Sequence, residues 1–316
     1  MQVVIGATGG VGHWVVEKLL DRSYQVRIMA RTPGKLKQFS SMDRVEIVQG
    51  DAANMSDVKK AAIGADSVYY CVNVPYPEWN SKVIPMFRNA ITAVSENKAK
   101  IVFPGNVYVY GHARSDLVKE DHPFAAHTRK GKIRIQMEQM LDDAWKTENI
   151  PYTIVRFPDF YGPFVINDLY APIFRNALQG RPMTWYGKLD VPFEFAYIED
   201  AAEALVMAGL DSGTNGESYN VPGVEVTTPR HWLQLVASTA GTNAKIRTIP
   251  KFVIGVAGIF NPLAKEFYEM VYLRTERMIL DGTKFRSKFG RIPATPYRDG
   301  IKKTLDWFRE TLTENA

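Results

Sequence analysis

The chain opens on a short apolar run, QVVIGA, that passes without a break into GATGGVG and then into HWVVEKLLDRS, whose apolar residues fall at helical spacing. No other feature constrains the fold as much. A strand, a turn with glycine at positions 6, 9 and 12, and a helix permit a tight bend, close approach of backbone N–H groups to an anion, and close packing of helix on strand. The same rhythm recurs: the β-rich runs QVRIMA, VEIVQG, SVYYCV, KIVFPG and YTIVRF end in turn signals, and amphipathic stretches such as SKVIPMFRNAITAVSENK follow. This alternation predicts an α/β fold built on a doubly wound parallel sheet.

After about Pro163 the rhythm breaks into Pro- and Gly-punctuated pieces, returns at FEFAYIEDAAEALVMAGL, and gives way to a helical final third. The expected organisation is a dinucleotide-binding Rossmann domain over residues 1–165, rejoined by about 190–210, with a smaller substrate-binding lobe from 166–189 and 211–316. A cleft should lie between them, at the C-terminal edge of the sheet.

Composition narrows the partners. Thirty-nine basic against 34 acidic residues leave +5, thinly spread, so a nucleic-acid partner is not expected. The single Cys71, inside SVYYCV, cannot form an internal disulfide and reads as a small buried hydrophobe in a reducing, cytoplasmic setting. No charged segment precedes an apolar stretch at the start, and FVIGVAGIFNPLA is too short and broken to span a bilayer, so no membrane partner is expected either. No residue is assigned to a metal.

Gly6, Thr8, Gly9, Gly10, Val11 and Gly12 are the expected pyrophosphate contacts. At the end of the second strand, where a carboxylate would hold the ribose of NAD, stand Ala30 and Arg31. Arg31, helped by Lys35, could pair with a 2′-phosphate, which favours NADP over NAD; a solvated loop arginine is the alternative. Asp51, after VEIVQG, reads either as an adenine contact or as a helix cap.

Residues 130–141, KGKIRIQMEQML, bury Ile133, Met137, Met140 and Leu141 on one helical face and repeat Lys130, Arg134 and Glu138 on another. Three readings are open: a nucleic-acid contact, a solvated face with an Arg134–Glu138 ion pair, or a catalytic element.

Taken together, GATGGVG, Gly50–Asp51, the VYG of Val109 to Gly111, RFPDFYGP at 156–163 and FAYIEDAAEAL from Phe195 resemble the extended short-chain dehydrogenase/reductase superfamily, the NAD-dependent epimerase/dehydratase type. The resemblance implies a Ser or Thr five residues before the Gly of VYG, and a Tyr-x-x-x-Lys pair ahead of a Glu. Those positions hold Asn106, Lys130 and Arg134, so the chain is an atypical member. On this reading Asn106 donates to a carbonyl oxygen, Arg134 reaches ribose hydroxyls, Lys130 touches the cofactor and delivers a proton, Phe157 lies beside the cofactor, and Asp159 meets the substrate. His112 and His127 could titrate in the pocket. A nucleotide-sugar enzyme of this type commonly carries an Arg where this chain has Phe193, which reads as an aromatic wall; Tyr76, Trp79, Trp185 and the stretch from Phe252 would complete an apolar pocket.

The expected activity is NADP-dependent reduction of a carbonyl or activated double bond of a small molecule. A non-catalytic NADP-responsive regulator and a nucleotide-sugar epimerase or dehydratase are the alternatives. The resemblance also implies a possible homodimer.

Overall fold

The computed structural model describes residues 1–314; the side chains at positions 33, 35, 37 and 312–314, and with them the expected contact from Lys35, lie outside the described residues. The first half alternates as the sequence predicts: β1 (Gln2–Ile5), α1 (Gly10–Asp21), β2 (Val26–Ala30), β3 (Val45–Gln49), α2 (Met55–Ala62), β4 (Ser67–Tyr70), α3 (Trp79–Asn97), β5 (Lys100–Asn106), α4 (Arg129–Glu148) and β6 (Tyr152–Phe157). β1, β4 and β6 are buried along their whole length, the condition of parallel strands covered on both faces.

Beyond β6 come β7 (Phe160–Tyr161), α5 (Ala171–Leu178), β8 (Met183–Tyr186), β9 (Ala196–Tyr197), α6 (Ile198–Leu210), β10 (Glu217–Asn220), α7 (Pro229–Ala240) and β11 (Ile246–Ile249). The helices α8 (Lys251–Phe260), α9 (Pro262–Tyr268), α10 (Thr283–Phe289) and α11 (Tyr297–Glu314) follow. The main sheet has seven parallel strands in the order β10-β6-β5-β4-β1-β2-β3. β1 sits where the winding reverses, with Ile5 opposite Met29 on β2 and Tyr70 on β4. Val15, Leu19, Ala201 and Leu205 of α1 and α6 pack on one face, and Phe87, Ala90, Met137 and Leu141 of α3 and α4 on the other.

One expected boundary moves. Residues 217–220 do not belong to the lobe but pair along β6, Tyr219 opposite Val155, as the seventh strand. ESYN carries too little apolar character to be read as a strand, and an edge position, paired on one side only, does not demand more.

The lobe has its own aromatic core, in which Trp185, Phe193, Phe195 and Trp232 are at most 7% exposed. Trp185 and Phe193 meet edge to face at 5.4 Å. Both were expected to line a pocket; both are instead sealed in this core. The chain entering the lobe is fastened to α1: the Trp14 indole N–H donates to the Pro163 carbonyl at 3.3 Å, and the His13 ring stacks on Phe164 at 3.7 Å. No described helix is long and apolar enough to cross a membrane.

Candidate active site

Each glycine of the first turn has a different reason to be there. Gly6 has φ +95°, and a Cβ on it would lie 2.8 Å from the Cys71 carbonyl carbon. A Cβ on Gly12 would come within 2.4 Å of the Gly6 oxygen, so α1 could not pack against the turn. Gly9 is different: its backbone is extended (φ −94°, ψ 160°), and a Cβ would meet only the Gly6 oxygen, at an ordinary 3.6 Å. The fold does not need glycine at position 9; a ligand approaching the backbone would. No side chain caps the N-terminus of α1, and its first turn holds no carboxylate. Exposed Thr8 and half-buried Gly10 and Val11 border the same space, so the turn fits a pyrophosphate on uncapped N–H groups.

Around the adenosine end, Arg31 is exposed just past β2, whereas Ala30 is buried in the core. Asp51 is not the helix cap: that role belongs to Asn54, whose Oδ1 accepts from the Ser56 N–H at 3.0 Å. Asp51 stabilises its own turn, accepting from the Ala53 N–H at 2.9 Å.

At the other end, β5 finishes at Asn106, opposite Phe157 of β6. The Asn106 Oδ1 accepts from the Tyr108 N–H at 3.2 Å, leaving the amide N–H₂ as the group it can offer. The Phe157 side chain is fully buried in the core that also holds Val15, Leu19 and Leu205, so the expected cofactor contact through that ring is corrected.

The helix bearing Lys130 and Arg134 conforms to neither surface reading. Lys130 is 1% exposed, and its ammonium donates to the Glu266 carboxylate at 2.5 Å, the Glu266 carbonyl at 3.0 Å and Glu269 at 2.6 Å. An ammonium has three protons, and all are committed. The expected proton delivery by Lys130 and its cofactor contact are therefore corrected: the residue ties α4 to α9. Glu138 binds Arg156, at 2.6 Å and 3.0 Å, and not Arg134. The Arg134 guanidinium lies 5.0 Å from the Trp79 ring centroid and 5.3 Å from that of Phe103, with one N–H 3.4 Å from the Pro104 carbonyl and Nε without a partner. Burial lowers its pKa.

The cluster also holds groups that spacing did not single out for chemistry. The Tyr76 and Tyr108 hydroxyls are 2.8 Å apart, and Lys130 stands 4.7 Å over the Tyr76 ring. Burial raises the pKa of both phenols, and for Tyr108 the neighbouring Tyr76 and Asp159 add to the effect, so both are neutral donors. Asp159, expected to face the substrate, is held by Arg274 at 3.2 Å and by the Tyr170 hydroxyl. Tyr108 lies two residues past Asn106 and could have been noticed within VYVYG. Tyr170, Arg274, Glu266 and Glu269 arrive from the lobe, and no spacing rule reaches that far. His112 and His127 stack on each other at 4.3 Å and meet Tyr272 at steep angles, with His112 2.6 Å from Glu276, and not the tyrosine pair. Among the described residues no group of His, Cys, Asp and Glu could hold a metal.

An uncapped helix aimed across the reversal point of a parallel sheet, with polar side chains gathered at the ends of β4 to β6, is what a dinucleotide-dependent α/β enzyme presents to its cofactor. The chain belongs to the NAD dependent epimerase/dehydratase family, whose model matches residues 2–222. The UDP-N-acetyl-alpha-D-glucosaminuronate decarboxylase of Bacillus cytotoxicus is 24% identical over 98% of this chain and 97% of its own. Among solved structures, the UDP-glucuronic acid 4-epimerase from Bacillus cereus in complex with UDP-glucuronic acid and NAD superposes with a TM-score of 0.82, at 19% identity, over 98% of this chain and 100% of its own. A double mutant of DesIV, a dTDP-glucose 4,6-dehydratase from Streptomyces venezuelae with NAD bound, gives 0.82 at 18% identity over 99% and 98%. These structures share the fold.

Proposed function

We propose that the protein is a nicotinamide-dinucleotide-dependent oxidoreductase acting on a carbonyl or activated double bond of a small molecule, with a preference for NADP. The observation that carries this reading is Gly9, a glycine at an uncapped helix N-terminus where a Cβ would meet no protein atom closer than 3.6 Å, so that the fold itself gives no reason for glycine. The turn and the first N–H groups of α1 bind the pyrophosphate, and Arg31 pairs with the 2′-phosphate where no carboxylate competes. When bound, the nicotinamide supplies or accepts a hydride. Arg134, stacked between aromatic rings, orients the ribose side, and the Asn106 amide donates to the substrate oxygen as charge develops there. The proton for that oxygen comes from the Tyr76–Tyr108 pair, because an alkoxide is more basic than a phenolate and both phenols are held neutral.

The test is NADPH consumption across a panel of carbonyl compounds. Tyr108→Phe should lower turnover by about 10²-fold with NADPH affinity unchanged. Unchanged turnover would place the proton elsewhere. Tight NADPH binding with no turnover of any substrate would favour the regulator. The full-length likeness to a UDP-sugar decarboxylase supports a second reading, a nucleotide-sugar substrate. Phe193, sealed in the lobe core, no longer argues against it. A rise in melting temperature with UDP- or dTDP-sugars would favour that reading.

A further inference from the structure

Helices α8 and α9 form a hairpin hinged at Asn261, whose side chain caps α9 by accepting from the Leu263 N–H at 2.9 Å and the Ala264 N–H at 3.2 Å. Of α8 only Ile254 is buried. Phe252, Val256, Ile259, Phe260 and Leu263, spaced as one stripe along the hairpin, face water, with Phe252 72%, Ile259 73% and Phe260 85% exposed. Elsewhere the large exposed hydrophobics are scattered singly, as on any soluble surface; here they are contiguous.

The charges on the hairpin are sorted by direction. Its carboxylates point inward, Glu266 and the adjoining Glu269 being held by Lys130 and Arg129. The charged side chains left exposed on it are Lys251 and Lys265. Exposed Lys132 at the start of α4 adds to the same sign, while Arg129 is balanced by the two carboxylates. We propose that this hairpin docks the protein on an anionic lipid surface, lying in the interface with its apolar stripe buried and its lysines at the headgroups. A second copy of the chain would bring lysine against lysine, whereas an anionic bilayer complements both the stripe and the charge. Ten residues of α8 are too few to span, so the hairpin lies on the membrane and does not cross it.

The same face carries a cleft of about 770 Å³ between the hairpin and Pro77, with Glu266 as one wall, and Glu266 is the partner of Lys130.

The test is flotation of the whole protein with vesicles of phosphatidylcholine alone and of phosphatidylcholine containing phosphatidylglycerol, at low and high salt. Binding is expected on the mixed vesicles and weaker in high salt. Joint Ile259→Ser and Phe260→Ser should reduce it at least about tenfold, and Lys251→Glu by about tenfold. Circular dichroism and NADPH binding of these surface variants should match wild type, which separates loss of docking from loss of fold. No flotation, or equal flotation on both vesicle types, overturns the proposal. So does a concentration-dependent dimer that the serine variants dissolve while vesicles are ignored, since the face would then belong to a second copy.

Discussion

The Lys130 ammonium on α4 lies 2.6 Å from the Glu269 carboxylate just beyond α9, in a contact from which water is almost entirely excluded on the lysine side. Glu266 shares the same cation at 2.5 Å. A residue at the position where the family resemblance implies a catalytic tyrosine is thus a strut between the sheet domain and the lobe.

Replacing it by methionine tests that role. Lys130→Met leaves Glu266 and Glu269 with Arg129 alone, and Arg129 is half exposed and worth less as a partner. The expected loss of stability is about 1–3 kcal/mol in urea denaturation, with NADPH affinity nearly unchanged. Burial alone would raise the Glu266 pKa, but the hydrogen bond and charge of Lys130 hold it below the usual carboxylate range. A depressed carboxylate contributes stability above its unfolded pKa and loses it as pH falls through the folded one. The gap between variant and wild type should therefore close in acid. A variant as stable as wild type at neutral pH would remove the strut.

The glycines separate binding from folding. Gly9→Val should keep a native circular dichroism spectrum and lose NADP(H) binding, because the side chain occupies ligand space and no protein atom is closer than 3.6 Å to its Cβ. Gly12→Ala should lose stability as well, by roughly 1–3 kcal/mol, since its methyl would collide with the Gly6 oxygen. Calorimetry and thermal melts on the pair are decisive. If Gly9→Val binds like wild type, the turn has another purpose.

For cofactor choice, Arg31→Ala should reduce NADP affinity by about 1.5–3 kcal/mol, one to two decades, with NAD affinity little altered. The position is exposed, so the effect should shrink at high salt. Arg31→Asp should push preference toward NAD. Ala30→Asp is the poorer variant, because Ala30 is 6% exposed and the carboxylate would be buried beside Leu36 and Phe39. Equal binding of both cofactors to wild type would refute the preference.

Stability should also fall with rising pH, through Glu194. This carboxyl is 2% exposed and accepts from the Leu280 N–H at 2.9 Å and the Gly223 N–H at 3.1 Å. Burial outweighs the two N–H donors and pushes its pKa up to about 8. A group raised above its unfolded pKa contributes stability that is complete below the unfolded value and is lost as pH rises through the folded one. The decline should span the range from the ordinary Glu pKa to about 8. Glu194→Gln should be less stable than wild type near pH 5, having one hydrogen bond fewer, and should flatten the decline. Parallel pH profiles of melting temperature would show it; identical slopes would exonerate Glu194.

Much of this was legible in the sequence, for definable reasons. The inner strands were readable because a parallel strand covered on both faces is largely apolar, β3 because this edge strand still carries Val45, Ile47 and Val48, and the glycine turn because its spacing is set by backbone geometry. β10 was not, since an edge strand tolerates Glu217, Ser218 and Asn220. Asn106 and Arg134 could be placed at the sheet edge by counting from Gly111 and Glu138, for a local helix or strand carries its residues along in fixed register. Lys130 could be placed too, but not interpreted: its partners lie 136 and 139 residues away on a different lobe. Phe193 misled because spacing reveals an apolar residue without telling which side of the wall it is on.

The clasp of His13 and Trp14 on Phe164 and Pro163 makes the two halves of the chain unequal as exchangeable parts. Burial pushes the His13 ring down to about 4, so it stays an uncharged plate under Phe164 at neutral pH. A chimera that grafts a relative's lobe onto this nucleotide half inherits a working joint if the seam falls after Val165, and strands two aromatic side chains of α1 against foreign sequence if it falls at the end of β6. The seam that looks natural from strand boundaries is thus the wrong place to cut.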